Sequence, residues 1–274
     1  KTFPTIDCSA CILTPKMVDV SRNPNITIMA YSELEKVDGY VGNFEVTIRQ
    51  KTHYIDQAKC TGCGTCNAKC PVVTGNEFDL NMAPRKAIYI PFPQAVPGKY
   101  TIDMDHCIKC GICARPDVCE CGAVNYDDKD KLVTLEVGTI IVSTGYDQTD
   151  PTELFNYGYG KFENVMTGLE FERNLSSTGP NLGKPVRPSD QKHPHSMAWI
   201  QCVGSRDTRE GCHEYCSRVC CMYAIKQARQ YKEKHPEADI YIFYMDIRAF
   251  GKAYEEFYES AARDFGIKFI RCRL

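Results

Sequence analysis

The sequence predicts an α/β fold interrupted by a small cysteine-rich α+β block, and three observations carry that expectation. Strand-like segments stand on both sides of a block holding nine of the chain's 17 cysteines. The last hundred or so residues alternate strand, helix, strand, helix, strand, the order of a doubly wound parallel sheet. Short apolar runs bounded by turn residues set the strands, and longer mixed runs between them set the helices.

Taken in order, residues 26–30 (Ile26-Thr27-Ile28-Met29-Ala30) read as a strand, and 44–48 alternate apolar and polar with period two. Gly39 and Gly42 mark the turn between them, giving a β-meander. The cysteine-rich block occupies 57–129 and contains the proline loop at 91–97. Strand-like sequence resumes at 132–136 and 139–143, so the block interrupts one sheet-containing domain made of 1–56 and 130–175. Residues 176–195, rich in Ser, Pro, Gly and Lys, read as a linker. A second domain over 176–274 then has strands at 197–201, 240–244 and 268–271, with helices at 215–234 and 253–265.

Composition narrows the classes. With 43% hydrophobic and 25% charged residues the chain is globular. A formal charge of −2 gives no reason for a nucleic acid or an anionic membrane as partner. No apolar stretch approaches the roughly 20 residues that span a bilayer, and Lys1-Thr2-Phe3-Pro4 has no apolar region behind it to make a signal peptide. The first residue is not Met, the mark of a processed chain or a fragment. Cysteines two or three positions apart suit a metal centre and suit disulfide geometry poorly. Free thiols of this kind point to a reducing cytoplasm.

The chemistry is concentrated in Cys60-x2-Cys63-x2-Cys66-x3-Cys70-Pro71, the spacing with which bacterial-type ferredoxins hold a [4Fe–4S] cluster. Gly62 and Gly64 let the backbone approach the inorganic sulfides. In two-cluster ferredoxins the fourth cysteine serves the other cluster, so a second run is required. It is present as Cys107-x2-Cys110-x2-Cys113, with Cys119 and Cys121 behind it. One cluster is therefore assigned to Cys60, Cys63, Cys66 and Cys119, the other to Cys107, Cys110, Cys113 and Cys70. The second run departs from the pattern: five residues precede Cys119, and Glu120 stands where proline is expected. Either Cys119 or Cys121 fits as the ligand; Cys119 is preferred because Gly122-Ala123-Val124 then begins the following strand. A pair of zinc sites is the alternative, but zinc knuckles place two cysteine pairs a dozen or more residues apart.

A third group lies early in the second domain. Cys202 ends a strand, and Cys216, Cys220 and Cys221 fall on the predicted helix, where Cys216 and Cys220 share a face. A dinucleotide-binding unit would carry G-x-G-x-x-G at this strand-to-helix turn. Here the turn reads Gln201-Cys202-Val203-Gly204-Ser205-Arg206-Asp207, and five cysteines within twenty residues favour a metal site in place of a phosphate site over the alternative of buried small hydrophobes. The run from Gly138 to Gly145 is a hydrophobic strand ending in Ser143-Thr144-Gly145. Two-domain flavin reductases pass such a strand end beside FAD, which makes Thr144 and Gly145 candidate flavin contacts. Cys8-x2-Cys11 fits a redox dithiol, two packed thiols or half of a metal site completed from outside the chain; the last is preferred. Lys226 reads as a solvated surface lysine.

Together these residues resemble the A subunit of heterodisulfide reductase, an iron–sulfur flavoprotein family of methanogens and related anaerobes. The resemblance is carried by Thr2-Phe3-Pro4-Thr5-Ile6-Asp7-Cys8, Tyr40-Val41-Gly42-Asn43-Phe44 and Ile90-Pro91-Phe92-Pro93-Gln94-Ala95-Val96-Pro97. The turn at 201–207, the segment Tyr215-Cys216-Ser217-Arg218-Val219-Cys220-Cys221-Met222-Tyr223 and Tyr244-Met245-Asp246-Ile247-Arg248-Ala249-Phe250-Gly251 add to it. It implies a thioredoxin-reductase-like FAD domain with an inserted ferredoxin domain carrying two clusters, and a third cluster on Cys202, Cys216, Cys220 and Cys221. It implies FAD-based electron bifurcation between ferredoxin and a heterodisulfide, with Lys226 near the isoalloxazine. Implied partners are the other heterodisulfide reductase subunits, a hydrogenase or a formate or F420 electron-donor module, and soluble ferredoxin. Because no G-x-G-x-x-G occurs, the expected chain is a fragment lacking the FAD-pyrophosphate unit and the C-terminal ferredoxin region.

Two rival functions use the same residues. One is an electron-wiring module whose flavin chemistry belongs to another chain. The other is a flavin reductase using NAD(P)H, against which the absent glycine fingerprint near Cys202 argues. No nucleophile–base pair or paired carboxylate points to hydrolysis.

Overall fold

The structure is a computed structural model that describes residues 1–273. It divides into two compact units, Leu13–Gly145 and Lys1–Ile12 with the chain from Tyr146 onward, and α1 (Ser9–Arg22) runs through the boundary.

In the first unit, β1 (Ser32–Tyr40) and β2 (Asn43–Gln50) form an antiparallel hairpin, with Tyr40 paired to Asn43 across the turn. The chain then leaves the sheet for the cysteine-rich block. That block contains α2 (Thr65–Lys69), the ribbon of β3 (Val73–Gly75) and β4 (Pro84–Lys86), and the ribbon of β5 (Ile88–Tyr89) and β6 (Thr101–Ile102). It returns as β7 (Lys131–Val137), antiparallel to β2 with Val46 opposite Leu135, so the three-stranded order is β1-β2-β7. Residues 51–130 thus leave from and return to adjacent strands of one sheet. The block has its own core, made of Ile55, Ile88, Ile102, Val118 and Ala123 together with Cys60, Cys66 and Cys113.

In the second unit, α3 (Gly168–Leu175) is a helix the sequence reading did not identify. Its start is a capping box: Glu170 N donates to Thr167 Oγ1, and Thr167 N donates to the Glu170 carboxylate at 2.6 Å. There follow β8 (Ser196–Ile200), α4 (Cys220–Lys234), β9 (Asp239–Tyr244), α5 (Tyr254–Arg263) and β10 (Lys268–Arg271). The sheet is parallel throughout, in the order β10-β9-β8, with a helix in each crossover. Trp199, Met222, Ile225, Tyr231, Ile240, Ile242, Phe257 and Ala261 fill its core. A parallel sheet buries its strands on both faces, and Ile240 and Ile242 are accordingly almost inaccessible.

Several expected elements are corrected. Residues 26–30 are not a strand. The last ladder bond, Lys51 N to Tyr31 O at 3.0 Å, falls where β2 ends, so nothing extends far enough to pair with them. Residues 139–143 are likewise outside any strand; they pair with no strand among the described residues, and Ile141 is 86% exposed. Residues 176–195 are irregular, as a linker would be, yet they pack on α4: Tyr231 donates to Pro194 O at 2.8 Å and Lys234 to Gly183 O at 3.1 Å. Helix α4 starts at Cys220, not 215. Tyr215 O is taken by Arg206 N at 3.2 Å and His213 O by Asp207 N at 3.1 Å, and Arg218 is left-handed at φ 64°, which a helix does not tolerate.

Candidate metal centres

The two cysteine runs of the block fold by one local rule. Asp56 accepts from Ala58 N (2.9 Å) and Lys59 N (3.3 Å), and its own carbonyl accepts from Cys60 N (2.9 Å). Asp103 accepts from Asp105 N (3.1 Å) and His106 N (3.4 Å), and its carbonyl from Cys107 N (3.0 Å). Each aspartate makes an Asx-type turn that delivers the first cysteine of its run. The buried Ile55 and Ile102 anchor the two turns in the core. Both runs then place left-handed residues between their first and third cysteines: Gly62 and Gly64 in one, Lys109 and Gly111 in the other. Gly62 is required in its loop, because a Cβ there would lie 2.5 Å from the Gly98 carbonyl oxygen.

The sulfurs this produces are Cys60, Cys66 and Cys113 buried, Cys70, Cys107 and Cys119 half-buried, and Cys63, Cys110 and Cys121 exposed. Burial pushes the Cys66 thiol up to about 12, and the neighbouring sulfurs Cys63, Cys60 and Cys113 add to that despite the Asn67 amide. Burial also raises Cys113. Such thiols are inert as nucleophiles, whereas a bound metal deprotonates a coordinating thiol outright. A recess is lined by Cys70, Cys107, Cys110 and Cys113, with Pro71, Ile108, Ile112 and Tyr126 among its walls. It therefore brings the last cysteine of the first run to the three close cysteines of the second. Four thiols around a mostly apolar recess fit an iron–sulfur cluster by donor chemistry. Among the described residues no three Cys, His, Asp or Glu side chains converge as ligands of a single ion; a cubane instead takes its thiolates at separate corners.

At the irregular end of the second run, Ala123 N donates to Cys119 Sγ at 3.3 Å, while Cys121 is exposed with its sulfur 3.7 Å from that of Cys119. Ile55 bridges to Val124, so a strand-like pairing does follow Cys119.

The third group is built on different scaffolding. Cys202, left-handed at φ 63°, follows β8; Cys216 lies in the turn before α4; Cys220 and Cys221 open that helix. Cys216 and Cys220 therefore do not share a helix face. Burial pushes Cys202 up, opposed by the Met245 amide and reinforced by Cys221 and Cys216 nearby. The Cys220 thiol, with the Arg248 amide, holds Cys221 down at about 7 against its burial, while Cys220 is itself pushed up by Cys221 and by burial. Cys202 thus lies near Cys216, Cys220 and Cys221. Arg218 N donates to Cys216 Sγ at 3.4 Å, the same contact that Lys109 N makes to Cys107 Sγ, and in both cases from a left-handed residue two positions on. Arg206, paired with Asp246 at 2.7 Å, closes the turn over Cys202. A second recess opens at the carboxyl ends of the parallel strands beside Cys202, Arg206 and Cys272.

Thr144 and Gly145 are exposed and outside any strand. Lys226 is not a surface lysine. It is 4% exposed and ion-paired with Glu172, whose carboxylate also accepts from Gln227 at 3.1 Å. Burial pushes Glu172 up, but the charge and hydrogen bond of Lys226 with that of Gln227 outweigh this and hold it below its ordinary range. Neither recess is lined by Thr144, Gly145 or Lys226. Cys8 and Cys11 are exposed at the start of α1. Sequence reasoning missed Asp56 and Asp103, although Ile-Asp stands at the same offset before each run and could have revealed them. It missed Tyr126, whose hydroxyl is 3.0 Å from Cys113 Sγ, and for that contact no local signal exists.

Residues 53–73 match the 4Fe-4S binding domain family. The chain is 55% identical over 273 residues to the iron–sulfur A subunit of the CoB–CoM heterodisulfide reductase of Methanocaldococcus jannaschii, covering 100% of this chain and 41% of that protein. It is 54% identical, with the same coverage, to the A subunit of the H(2):CoB–CoM heterodisulfide, ferredoxin reductase of Methanothermobacter thermautotrophicus. To the A subunit of the ferredoxin/F(420)H(2)-dependent CoB–CoM heterodisulfide reductase of Methanosarcina acetivorans it is 45% identical, over 99% of this chain and 34% of the relative. The chain thus spans about two-fifths of the length of the first two relatives.

Proposed function

From a chain that is homologous along its whole length to the A subunits of heterodisulfide reductases, we propose the iron–sulfur electron-relay part of such an oxidoreductase. The observation that carries the proposal is the recess joining Cys70 to Cys107, Cys110 and Cys113. Under this reading those four thiolates hold one [4Fe–4S] cluster, and Cys60, Cys63, Cys66 and Cys119 hold the other. Bound there, a cluster takes up and passes on one electron at a time. The protein's own part is to hold and insulate. Asp56 and Asp103 set the loops, the amide of left-handed Lys109 donates to Cys107, and Ile88, Ile102 and Val118 exclude water. Cys202, Cys216, Cys220 and Cys221 are proposed as ligands of a third cluster, supported by the shared Cys-x-(left-handed) turn at Cys107 and Cys216.

The block at 57–129 is proposed as a ferredoxin-type insert, the segments 1–56 and 130–175 as part of an FAD-binding domain, and 176–274 as a second nucleotide-binding-like domain. FAD itself, its contacts at Thr144, Gly145 and Lys226, and bifurcation between ferredoxin and a CoM-S-S-CoB-type heterodisulfide are proposed for the whole protein. So are its partners: other heterodisulfide reductase subunits, a hydrogenase or formate/F420 donor module, and soluble ferredoxin. A cytoplasmic location is inferred from the free thiols; no helix among the described residues is long and apolar enough to cross a membrane. The buried Lys226 and unpaired 139–143 segment favour a second reading, a wiring module without flavin chemistry of its own.

The test is anaerobic iron and sulfide quantification with EPR of the reduced protein. About eight irons are expected from the insert and about twelve with the third group filled. Zinc, or covalently paired sulfurs and no metal, overturns the proposal. Flavin titration then separates the two readings: flavin that binds and exchanges electrons with the clusters supports the first.

A further inference from the structure

We propose that Tyr126 tunes one cluster only, donating a hydrogen bond to the Cys113 sulfur and so raising the reduction potential of the cluster held by Cys70, Cys107, Cys110 and Cys113. The inference rests on the cluster reading above. The phenol oxygen is 3.0 Å from Cys113 Sγ, and Tyr126 lines the same recess as the four thiols. A sulfur bound to iron carries no proton, so the phenol is the donor in the loaded protein. Its ring packs half-buried on the core that holds Cys60, Cys66 and Cys113, where a hydrogen bond is screened less than in water.

Among the described residues the first run has no hydroxyl this close to its third cysteine. Cys66, which occupies the place of Cys113, is favoured by the Asn67 amide. The nearest hydroxyl contact in that run is Thr65 to Cys63 at 3.6 Å, on an exposed sulfur where water competes. Tyr100 packs on the same core, with its hydroxyl beside Gly64 of the first run. Lys99 donates to the Cys60 carbonyl, not to a sulfur. A donor aimed at sulfur favours the more electron-rich state, because the reduced cluster puts more negative charge on its thiolates. The electron enters the cluster and the proton stays on the phenol, so nothing else is consumed.

The experiment is an EPR-monitored redox titration of the 274-residue chain, loaded anaerobically, comparing wild type with Tyr126→Phe. Iron content is expected to stay the same. At the wild-type midpoint of the affected cluster, the reduced-to-oxidised ratio is expected to fall about tenfold, ~59 mV for a one-electron couple. The other clusters are expected to keep their midpoints. Replacing Tyr126 with 3-fluorotyrosine keeps the ring and strengthens the donor, and is expected to move the same midpoint the opposite way. This second substitution keeps the proposal open to test should the Phe variant load poorly. Loaded wild type with no shift in either variant, or with all clusters shifting together, overturns the tuning role alone. Wild type that takes up no iron overturns the cluster reading and this role with it.

Discussion

The loops at 56–66 and 103–113 and the turn at 202–221 all collect cysteines, yet they are assembled by different means. In the block, each loop is closed by an aspartate four residues before its first cysteine and by left-handed residues inside the run. Every one of those contacts is local in sequence. In the third group, the sulfurs are gathered from the end of β8, a turn and the first residues of α4, and the turn is held by Arg206 reaching Asp246 beyond β9. A local loop can form as the chain closes a few residues. A site whose parts are set by a parallel sheet exists only once that sheet is formed.

The sharpest way to break this comparison is to remove ligands. Cys70→Ala and Cys113→Ala are each expected to abolish the same cluster, leaving iron at about four per chain below wild type, because the two runs share it. Cys121→Ala is expected to leave iron unchanged. Equal losses for Cys119→Ala and Cys121→Ala in iron analysis would remove the preference for Cys119.

The aspartates come next. Asp103 is nearly enclosed, bonded by Arg85 at 2.8 Å, with the guanidinium stacked 3.9 Å over Tyr89. Asp103→Asn is expected to lower stability in denaturant by about 2 kcal/mol, since a buried charged partner is left short of its bond. Asp56→Asn, at an exposed carboxylate, is expected to cost less. Burial pushes the Asp103 carboxyl up, but Arg85 and His106 outweigh this and hold it below its ordinary value. Its contribution is therefore complete above about pH 4, the unfolded value. It is lost as pH falls through the lower folded value, and acid titration followed by circular dichroism is expected to show the Asn variant lacking that step.

Backbone strain gives a smaller contrast. Gly62→Ala is expected to destabilise the loaded protein by about 1–3 kcal/mol, from the left-handed conformation and the clash with Gly98. Lys109 holds the corresponding position with a side chain, at φ 53°. Lys109→Gly is expected to be neutral or to stabilise by up to about 1 kcal/mol, the relief of strain set against added chain entropy. Thermal unfolding of the two variants side by side checks this. The smallest effect is expected from Arg206→Met, whose half-exposed pair with Asp246 is screened by water. It is expected to loosen the third group's iron toward a chelator while the insert's EPR signals stay as they were.

Much of the block was legible because its spacing is the structure. Cys60 to Cys70 and Cys107 to Cys113 were read from intervals alone, and the turns at Gly62 and Gly64 with them. The parallel sheet was legible for a similar reason, since its strands are short apolar runs separated by helical ones. What was misread depends on partners. Residues 26–30 have a strand's pattern but lie past the end of β2, whereas β1, with Glu33, Glu35, Lys36 and Asp38, has a polar sequence and a partner along its length. The helix expected from residue 215 begins at Cys220 because the backbone of His213 and Tyr215 is already bonded to the 204–207 loop. Lys226 looked like a surface lysine until Glu172, brought over by α3, supplied the counter-charge that permits its burial.

By itself the order of residues determined which side chains could bind metal and the turns that present them, since an Asx turn or a left-handed glycine is decided within a few bonds. Only the tertiary structure decided that Cys70 faces Cys107, Cys110 and Cys113, that Tyr126 reaches Cys113, and that Lys226 lies inside. Those contacts join segments far apart in the chain, and they form only when burial of a common core offsets the entropy of bringing them together.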